Sequence, residues 1–290
     1  MLADLSQLLI SGLATGAIYA LVAAGFALLW QTSQTVNFAQ GDFVVLPAFV
    51  ALGAISLGLP FWAAVIVALL VAVLVLGVLF KRLMVDPLLQ HDVLPLVIAT
   101  IALGTLLQEA LKSIWGARAF PFPSLDGGFD VGEVFVAWQD VAVLGCAVVA
   151  ILGLQAFLTR TRTGRAMQAT AQNPPVARLL GIPVQRMIML TFVINAALVT
   201  LAAILISPVY LVKFDNGAPL GLVAFCAAII GGFNQLRGAI IGGIVLGVLD
   251  NLAATYGPPS YRAAVPMILL IGFILFRPQG LLGRLEERTV

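Results

Sequence analysis

Acidic side chains within the apolar segments are the candidates for pairing, solute contact or ion coupling inside a membrane. Asp42, Glu109 and Asp250 each stand in or beside a long apolar run. A charge near the centre of a bilayer is costly, so such residues persist for pairing or for function. All three lie near the ends of their runs, and we expect interfacial or structural positions. Polarity along a substrate path is a second interpretation, and coupling to protons or sodium ions is a third.

The sequence lacks the motifs of enzymes that hydrolyse ATP, peptides or esters. It contains no GxxxxGK[ST] loop, no HExxH and no GxSxG. With one histidine, His91, and two cysteines in apolar runs, Cys146 and Cys226, we predict no metal site. The only basic cluster is short and free of aromatic residues, so we expect no nucleic-acid binding. Uphill movement of a solute would need an ion gradient or a second protein.

Uncharged polar side chains are candidates for lining a path. The stretch NFAQGD, Asn37–Asp42, collects polar and small residues where a helix should begin at membrane depth. Such backbone is tolerated there only when it is buried or lines a cavity. Isolated polar residues within spans more often form hydrogen bonds between helices. The path candidates are Asn37, Gln40, Gly41, Asp42, Thr100, Asn195, Asp250 and Asn251.

Glycines four residues apart form a second pattern. This spacing lets two helices approach closely. We interpret the pattern as tight packing within one chain, and a seam with another membrane subunit is the alternative. The positions are Gly12, Gly16, Gly238, Gly242, Gly243 and Gly247.

The composition of the chain indicates the class of fold that positions these residues. Of 290 residues, 61% are hydrophobic and 10% charged, and the mean hydropathy is +1.10. A soluble domain carries about 25% charged residues. We therefore predict an all-α polytopic membrane protein, a single domain over residues 1–290, with about eight or nine transmembrane helices. The predicted segments are Leu8–Trp30, Val36–Leu59, Phe61–Phe80, Val93–Trp115, Val141–Leu158, Met187–Ile206, Ala218–Phe233, Gly238–Tyr256 and Tyr261–Phe276.

The distribution of basic residues predicts the orientation. Lys and Arg in short loops mark the cytoplasmic side, which places the N-terminus outside and the C-terminus inside. We interpret the N-terminal run as a retained span and not a signal peptide. Segment 207–233 is either a full span or a re-entrant element. The acidic external loop, residues 116–140, is a solvated loop or a docking site, with Asp126, Asp130, Glu133 and Asp140 against Arg118.

A basic loop, Arg160–Arg186, is the one long polar interruption on the predicted cytoplasmic side. A first short helix is predicted over Arg165–Gln172. Asn173 suits an N-cap with Pro174 at the first helical position, and a second helix, Pro175–Leu180, would end at Gly181. We predict a compact knob that docks a cytoplasmic partner.

Four ordered stretches together resemble a known family, the LivH-type permeases of branched-chain (hydrophobic) amino acid ABC importers. They are VNFAQGDFVVLPAFVA, GRAMQATAQNPPVARLLGI, IIGGFNQLRGAIIGGIVLGVLDNL and FRPQGLLG, and the similarity runs from about Gly12 to Gly283. The resemblance implies that the basic loop is the coupling element that seats in a groove of an ATPase. The implied coupling residues are Arg165, Ala166, Ala169, Asn173, Pro174, Ala177, Leu180 and Gly181.

The same resemblance implies an assembly in the bacterial inner membrane. Its members would be a second homologous permease, two ATP-binding subunits and a periplasmic solute-binding protein. ATP and magnesium would bind to the partner ATPases and no cofactor to this chain. The binding protein would dock near the 116–140 loop and the turn Ser207–Gly217.

The sequence departs from the family pattern in two places. The pattern usually has His at the position of Gln40 and Gly at that of Pro47, and it often has Gly-Ser before Leu-Pro at Asn234–Arg237. The solute therefore stays open, because the family also includes importers of urea, short amides and aromatic acids. An ion-coupled secondary transporter and a structural membrane subunit are rival functions. The second permease could be identical to this chain or different from it.

Overall fold

The computed structural model of the chain is mostly helical. It describes residues 2–88, 93–132, 134–277 and 279–282. His91, Glu133 and Gly283, which the sequence analysis named, lie outside the described residues. The helices are α1 (Leu2–Ser33), α2 (Gln40–Ser56), α3 (Phe61–Ala72), α4 (Asp86–Leu88), α5 (Val93–Trp115), α6 (Trp138–Arg160), α7 (Arg162–Gln172), α8 (Pro174–Leu179), α9 (Val184–Tyr210), α10 (Gly217–Gly231), α11 (Leu236–Tyr256) and α12 (Val265–Phe276).

Six helical stretches of the described chain are long and apolar enough to cross a membrane. One of them joins α3 to α4 through the π-helical turns Val73–Leu79 and Lys81–Val85. Three further apolar helices are shorter, namely Gln40–Ser56, Gly217–Gly231 and Arg262–Phe276. Every predicted apolar segment thus coincides with a helix, whereas the number of crossings stays a prediction. The six long stretches are Leu5–Ser33, Phe61–Leu88, Leu94–Trp115, Trp138–Arg160, Val184–Tyr210 and Leu236–Tyr256.

The start of α2 differs from the prediction. The helix begins at Gln40 and not at Val36. The preceding loop is held open by side chains, because Asn37 Oδ1 accepts a hydrogen bond from the Ala39 amide at 3.0 Å. The Phe38 amide donates to the Thr100 hydroxyl at 3.3 Å. Side chains that satisfy backbone amides in this way compete with helix formation.

The end of α9 also differs from the prediction. The helix continues through Pro208 to Tyr210 and does not stop at Ile206. The Ser207 hydroxyl donates to the Ala203 carbonyl, which keeps this polar side chain compatible with a helix. The helix ends where Leu211 adopts a φ of 59°. A positive φ lies outside the right-handed helical region, so the helix cannot continue through this residue.

Contacts divide the chain into two compact units. The first comprises the described parts of Met1–Ala27, Ser124–Val148 and Leu222–Val290, and the second comprises Leu28–Pro123 and Val149–Gly221. Helices α1, α6 and α10 contribute residues to both units.

In the second unit, α2 packs against α3, α5 and α9. An aromatic stack fills the space between them. The Phe43 and Phe80 rings meet edge to face at 5.0 Å, and the Phe80 and Phe192 rings lie 5.9 Å apart. Such pairs stabilise by about 1 kcal/mol beyond the area that they bury. The stack fixes α2 against the middle of α9.

In the first unit, the glycine pairs let helices meet backbone to backbone. Gly16 of α1 lies against Ile244 and Gly247 of α11, and Gly243 lies against Ala20. Gly238 and Gly242 pack on the C-terminal half of α10 in the same way. The chain's own helices therefore occupy these faces, as the packing interpretation expects, and the glycines do not present a free seam.

The loop of residues 116–140, which the sequence analysis predicted to be external, holds a small hairpin. Strand β1 (Gly128–Val131) pairs antiparallel with β2 (Val134–Ala137). The beginning of the loop, in the second unit, is joined to the segment after α9. Phe120 and Val212 exchange two backbone hydrogen bonds of 2.8 and 2.9 Å. The C-terminal ends of α5 and α9 therefore lie at the same end of this unit.

Candidate functional site

The polar start of α2 lies at the mid-depth of two long helices. The amide of Gln40 contacts Asn195, which is eleven residues into α9. The carboxyl of Asp42 lies against Gly104, eleven residues from either end of α5. Farther along α2, Gly53 packs on Trp115, the last residue of α5. Helix α2 therefore starts opposite the centre of α5 and runs along its C-terminal half.

A reciprocal amide pair joins α2 to α9. Gln40 Nε2 donates to Asn195 Oδ1 at 2.7 Å, and Asn195 Nδ2 donates to Gln40 Oε1 at 3.0 Å. The two residues are 0% and 1% exposed. Asn37 lies next to the pair, with its Nδ2 3.5 Å from Gln40 Oε1. A buried amide left without partners would cost about 1–3 kcal/mol, so the pair holds the two helices in register.

Asp42 is the buried charge of this region. Its Oδ1 accepts a hydrogen bond of 2.8 Å from Gln108 Nε2 on α5. Each carboxyl oxygen lies beside a glycine, because a Cβ on Gly104 or on Gly217 would stand 2.5 Å from it. Asp42 belongs to the first turn of α2, and Gly217 is the first residue of α10. The carboxylate thus lies where two helix N-termini meet, and each favours an anion by about 1 kcal/mol.

We name the group Asn37, Gln40, Asp42, Thr100, Gln108 and Asn195 the central polar cluster. The sequence analysis expected an interfacial or structural position for Asp42, and its contacts with the centre of α5 favour the structural one. The sequence analysis did not choose Gln108 as a site residue. A signal was present, because Thr100, Gly104 and Gln108 recur at four-residue spacing and so share one face of α5.

The segment after α9 returns to this depth. Val212 is paired near the C-terminal ends of α5 and α9, whereas Gly217 lies against Asp42 and Gly221 against Gly41. Helix α10 therefore begins at the level of the centre of α5, and the choice between a full span and a re-entrant element for segment 207–233 stays a prediction.

The remaining charged candidates have partners that account for them. In the first unit, Asp250 is buried and accepts hydrogen bonds from Arg262 at 2.8 and 2.9 Å and from Tyr19 at 3.0 Å. Asn251 donates to the Gly247 carbonyl of its own helix. In the second unit, Glu109 is exposed and pairs with Lys112 at 3.3 Å. These contacts favour structural roles for the three residues.

The basic loop has the predicted helix–corner–helix form. Asn173 ends α7 and caps α8, its Oδ1 accepting a hydrogen bond of 3.1 Å from the Val176 amide. Pro174 is the first residue of α8, and Gly181 follows with a φ of 79°. The first helix starts at Arg162 and not at Arg165, because Thr161 caps it through the Gly164 amide at 2.9 Å.

Exposure divides the predicted coupling residues into three groups. Arg165, Asn173, Leu180 and Gly181 are exposed, and Ala166, Ala169 and Pro174 are half-buried. Ala177 is 2% exposed, so it packs inside the loop and cannot meet a partner directly. The sequence analysis overlooked Leu179, which is 86% exposed beside Leu180 and Val176. An exposed apolar patch on a polar loop is typical of a docking surface.

Comparisons with known proteins agree on one family. The family model described as "Branched-chain amino acid transport system / permease component" matches residues 8–274. The chain is 32% identical to the high-affinity branched-chain amino acid transport system permease protein BraD of Pseudomonas aeruginosa, over 98% of this chain and 97% of that protein. It is 31% identical to LivH of Escherichia coli K12, with the same coverage, and that protein carries the same description.

A more distant relative and a solved structure extend the comparison. The probable LivH of Methanocaldococcus jannaschii is 30% identical over 91% of this chain and 88% of that protein. A chain in the structure of PsaBC from Streptococcus pneumoniae with a Fab matches with a TM-score of 0.52, 16% identity, and coverage of 96% of this chain and 97% of that one. At that identity the structural likeness supports the fold alone.

Proposed function

Because the chain belongs to the branched-chain amino acid transport permease family, we propose that it is the permease subunit of an ATP-driven importer for branched-chain and other hydrophobic amino acids. The near full-length match to permeases named for these solutes carries the proposal. Urea, short amides and aromatic acids are not favoured as solutes, because the family model and these relatives are described by branched-chain amino acids.

The proposed assembly places this chain in the inner membrane of a bacterium. It pairs there with a second homologous permease, and two ATP-binding subunits hold ATP and magnesium. A periplasmic binding protein delivers the solute. The apolar helices form the translocation path between the two permeases, which fits a chain in which Asp42, Glu109 and Asp250 each have a neighbouring polar or basic partner.

The proposed orientation has the N-terminus outside, the C-terminus inside and the basic loop in the cytoplasm. The loop presents Leu179 and Leu180 to solvent from a helix closed by caps at both ends. This exposure supports its role as the coupling element that seats on an ATPase. At the opposite end, the pairing of Phe120 with Val212 joins the external loop to the turn after α9. That joint surface supports docking of the binding protein there.

The proposed coupling role can be tested in the full complex expressed with its partner genes. Leu179→Glu would place a charge in the centre of the docking surface. Burying an unpaired carboxylate in an interface costs about 2 kcal/mol or more, so we expect co-purifying ATPase to fall at least about thirtyfold. The matched control is Leu57→Glu. Leu57 is 85% exposed at the C-terminal end of α2, away from the basic loop, so this variant should leave the complex intact.

Two outcomes would contradict the proposal. Equal loss of ATPase from both variants would remove the special role of Leu179. A chain that purifies alone, without ATPase activity, and still moves leucine in vesicles would overturn the importer assignment. That result would favour an ion-coupled transporter and direct attention to Asp42 and Glu109.

A further inference from the structure

The central polar cluster lies on a continuous series of contacts that runs from the basic loop to the N-terminal ends of α2 and α10. Helix α7 packs on α9, and α9 begins at Val184, within the last residues of the loop. The helix is unbroken from Val184 to Asn195, which spans about 17 Å. A displacement of the loop therefore reaches the level of the cluster through one rigid element.

At that level, the amide pair is the polar connection between α9 and the start of α2. Gln40 and Asn195 satisfy each other through two short hydrogen bonds and are shielded from solvent. Other buried hydroxyls of α9 do not connect helices in this way. Thr191 and Thr200 donate to carbonyls of α9 itself, four residues earlier.

The two residues that follow Gln40 in the first turn of α2 contact two further helices, α5 and α10. Asp42 is bonded to Gln108 of α5 and lies against the first residue of α10. Gly41 lies against Gly217 and Gly221 with backbone in contact with backbone. A shift of the first turn of α2 must therefore move the start of α10 as well, because a glycine contact leaves no side chain to absorb it.

We propose that Gln40 and Asn195 are positioning residues that transmit movement of the basic loop to the paired starts of α2 and α10. The inference rests on the proposed function and adds to it the element through which ATP hydrolysis is coupled to opening of the path. Two buried amides that bond reciprocally have one favoured arrangement, so they move together and do not slide.

The test uses the complete importer in proteoliposomes with its binding protein and leucine. Gln40→Asn and Asn195→Gln each change the combined length of the pair by one methylene group, whereas the double variant Gln40→Asn/Asn195→Gln restores it. We expect each single variant to lower leucine transported per ATP hydrolysed by about threefold to thirtyfold at an unchanged amount of assembled complex. The double variant should return to within about twofold of wild type.

Two further variants distinguish transmission from stability. Gln40→Leu/Asn195→Leu removes both polar partners, so the complex should assemble while leucine transport per ATP stays low. Thr191→Val removes a buried hydroxyl whose hydrogen bond goes to the Met187 carbonyl of α9 itself, and this variant should behave as wild type. A stabilising role alone would change the yield of complex and would leave the transport ratio untouched.

The outcomes separate this inference from the function on which it rests. The role of the pair would be overturned if the single variants transported as many leucines per ATP as wild type. It would also be overturned if the double variant were as defective as both changes combined. Neither outcome would affect the proposed function. A wild-type complex whose ATP hydrolysis does not respond to the loaded binding protein would overturn the proposed function, and this inference with it.

Discussion

At the residue scale, Asp42 shows how a carboxylate is accommodated at mid-depth among apolar helices. Gln108 supplies a hydrogen bond, and the N-terminal ends of α2 and α10 supply partial positive charge. The glycines at 104 and 217 leave the space that the two oxygens occupy. The carboxylate thereby joins three helices, and any side chain added at either glycine must displace it.

Gly104→Ala tests this fit. The added methyl group would stand 2.5 Å from Asp42 Oδ2, and the carboxyl cannot retreat because Gly217 lies on its other side. Overpacking of this kind costs about 1–3 kcal/mol, so we expect a lower midpoint of thermal unfolding in detergent. Gly217→Ala should cost more, since its methyl group would also meet the Asp42 backbone at 2.7 Å.

Gly145→Ala is the matched control for these substitutions. A Cβ at Gly145 meets no atom within 4 Å, and alanine favours a helix by about 1 kcal/mol over glycine. This variant should unfold at the same temperature as wild type or higher. Equal destabilisation at positions 104 and 145 would show that the space around Asp42 is not restricted.

At the scale of elements, the basic loop is made of helices too short to be stable alone. Helix α8 has six residues, and isolated helices shorter than about 12 residues are marginal. The form of the basic loop depends on the Asn173 cap, the turn at Gly181 and the burial of Met167 and Ala177. The caps hold the exposed leucines of α8 in one orientation, which a docking surface requires.

Asn173→Ala should loosen the corner between α7 and α8. Loss of an N-cap costs about 1 kcal/mol, which is a large share of the stability of so short a helix. We expect faster tryptic cleavage after the exposed arginines at 165 and 178, measured on inside-out vesicles. Asn173→Asp keeps an acceptor for the Val176 amide and should be cleaved like wild type. Equal rates for all three proteins would show that the cap does not hold the corner.

At the scale of the whole molecule, two of the shorter apolar helices, α2 and α10, begin at the level of the centre of α5. Broken helices of this kind are tolerated where protein surrounds the freed backbone groups. The predicted sidedness places the end of α2 outside and the basic loop inside.

Cysteine labelling tests this sidedness. Leu57→Cys and Leu179→Cys, each in a Cys146→Ala background, place thiols at two equally exposed sites. A membrane-impermeant maleimide should label position 57 only from outside and position 179 only from inside, because the charged reagent does not cross the bilayer. Cys226 is buried and should stay unlabelled. Labelling of both positions from one side would overturn the predicted orientation.

Much of the chain could be predicted from sequence because the relevant forces are local. Apolar runs identify membrane helices through transfer energy, and every predicted segment coincides with a helix. The corner at Asn173–Pro174 and the stop at Gly181 follow from capping chemistry between neighbouring residues. Family membership followed from four ordered motifs.

Tertiary structure decided what depends on contacts between distant residues. The level of Asp42 along α5 could not be predicted, because its position in the sequence, at the start of an apolar run, does not say where that run begins relative to other helices. Only the packing of α2 on α5 and α9 sets that level. The pairing of Gln40 with Asn195 spans 155 residues, and no spacing rule links them. The exposure of Leu179 and the burial of Ala177 likewise follow from how α8 packs, which propensity does not specify.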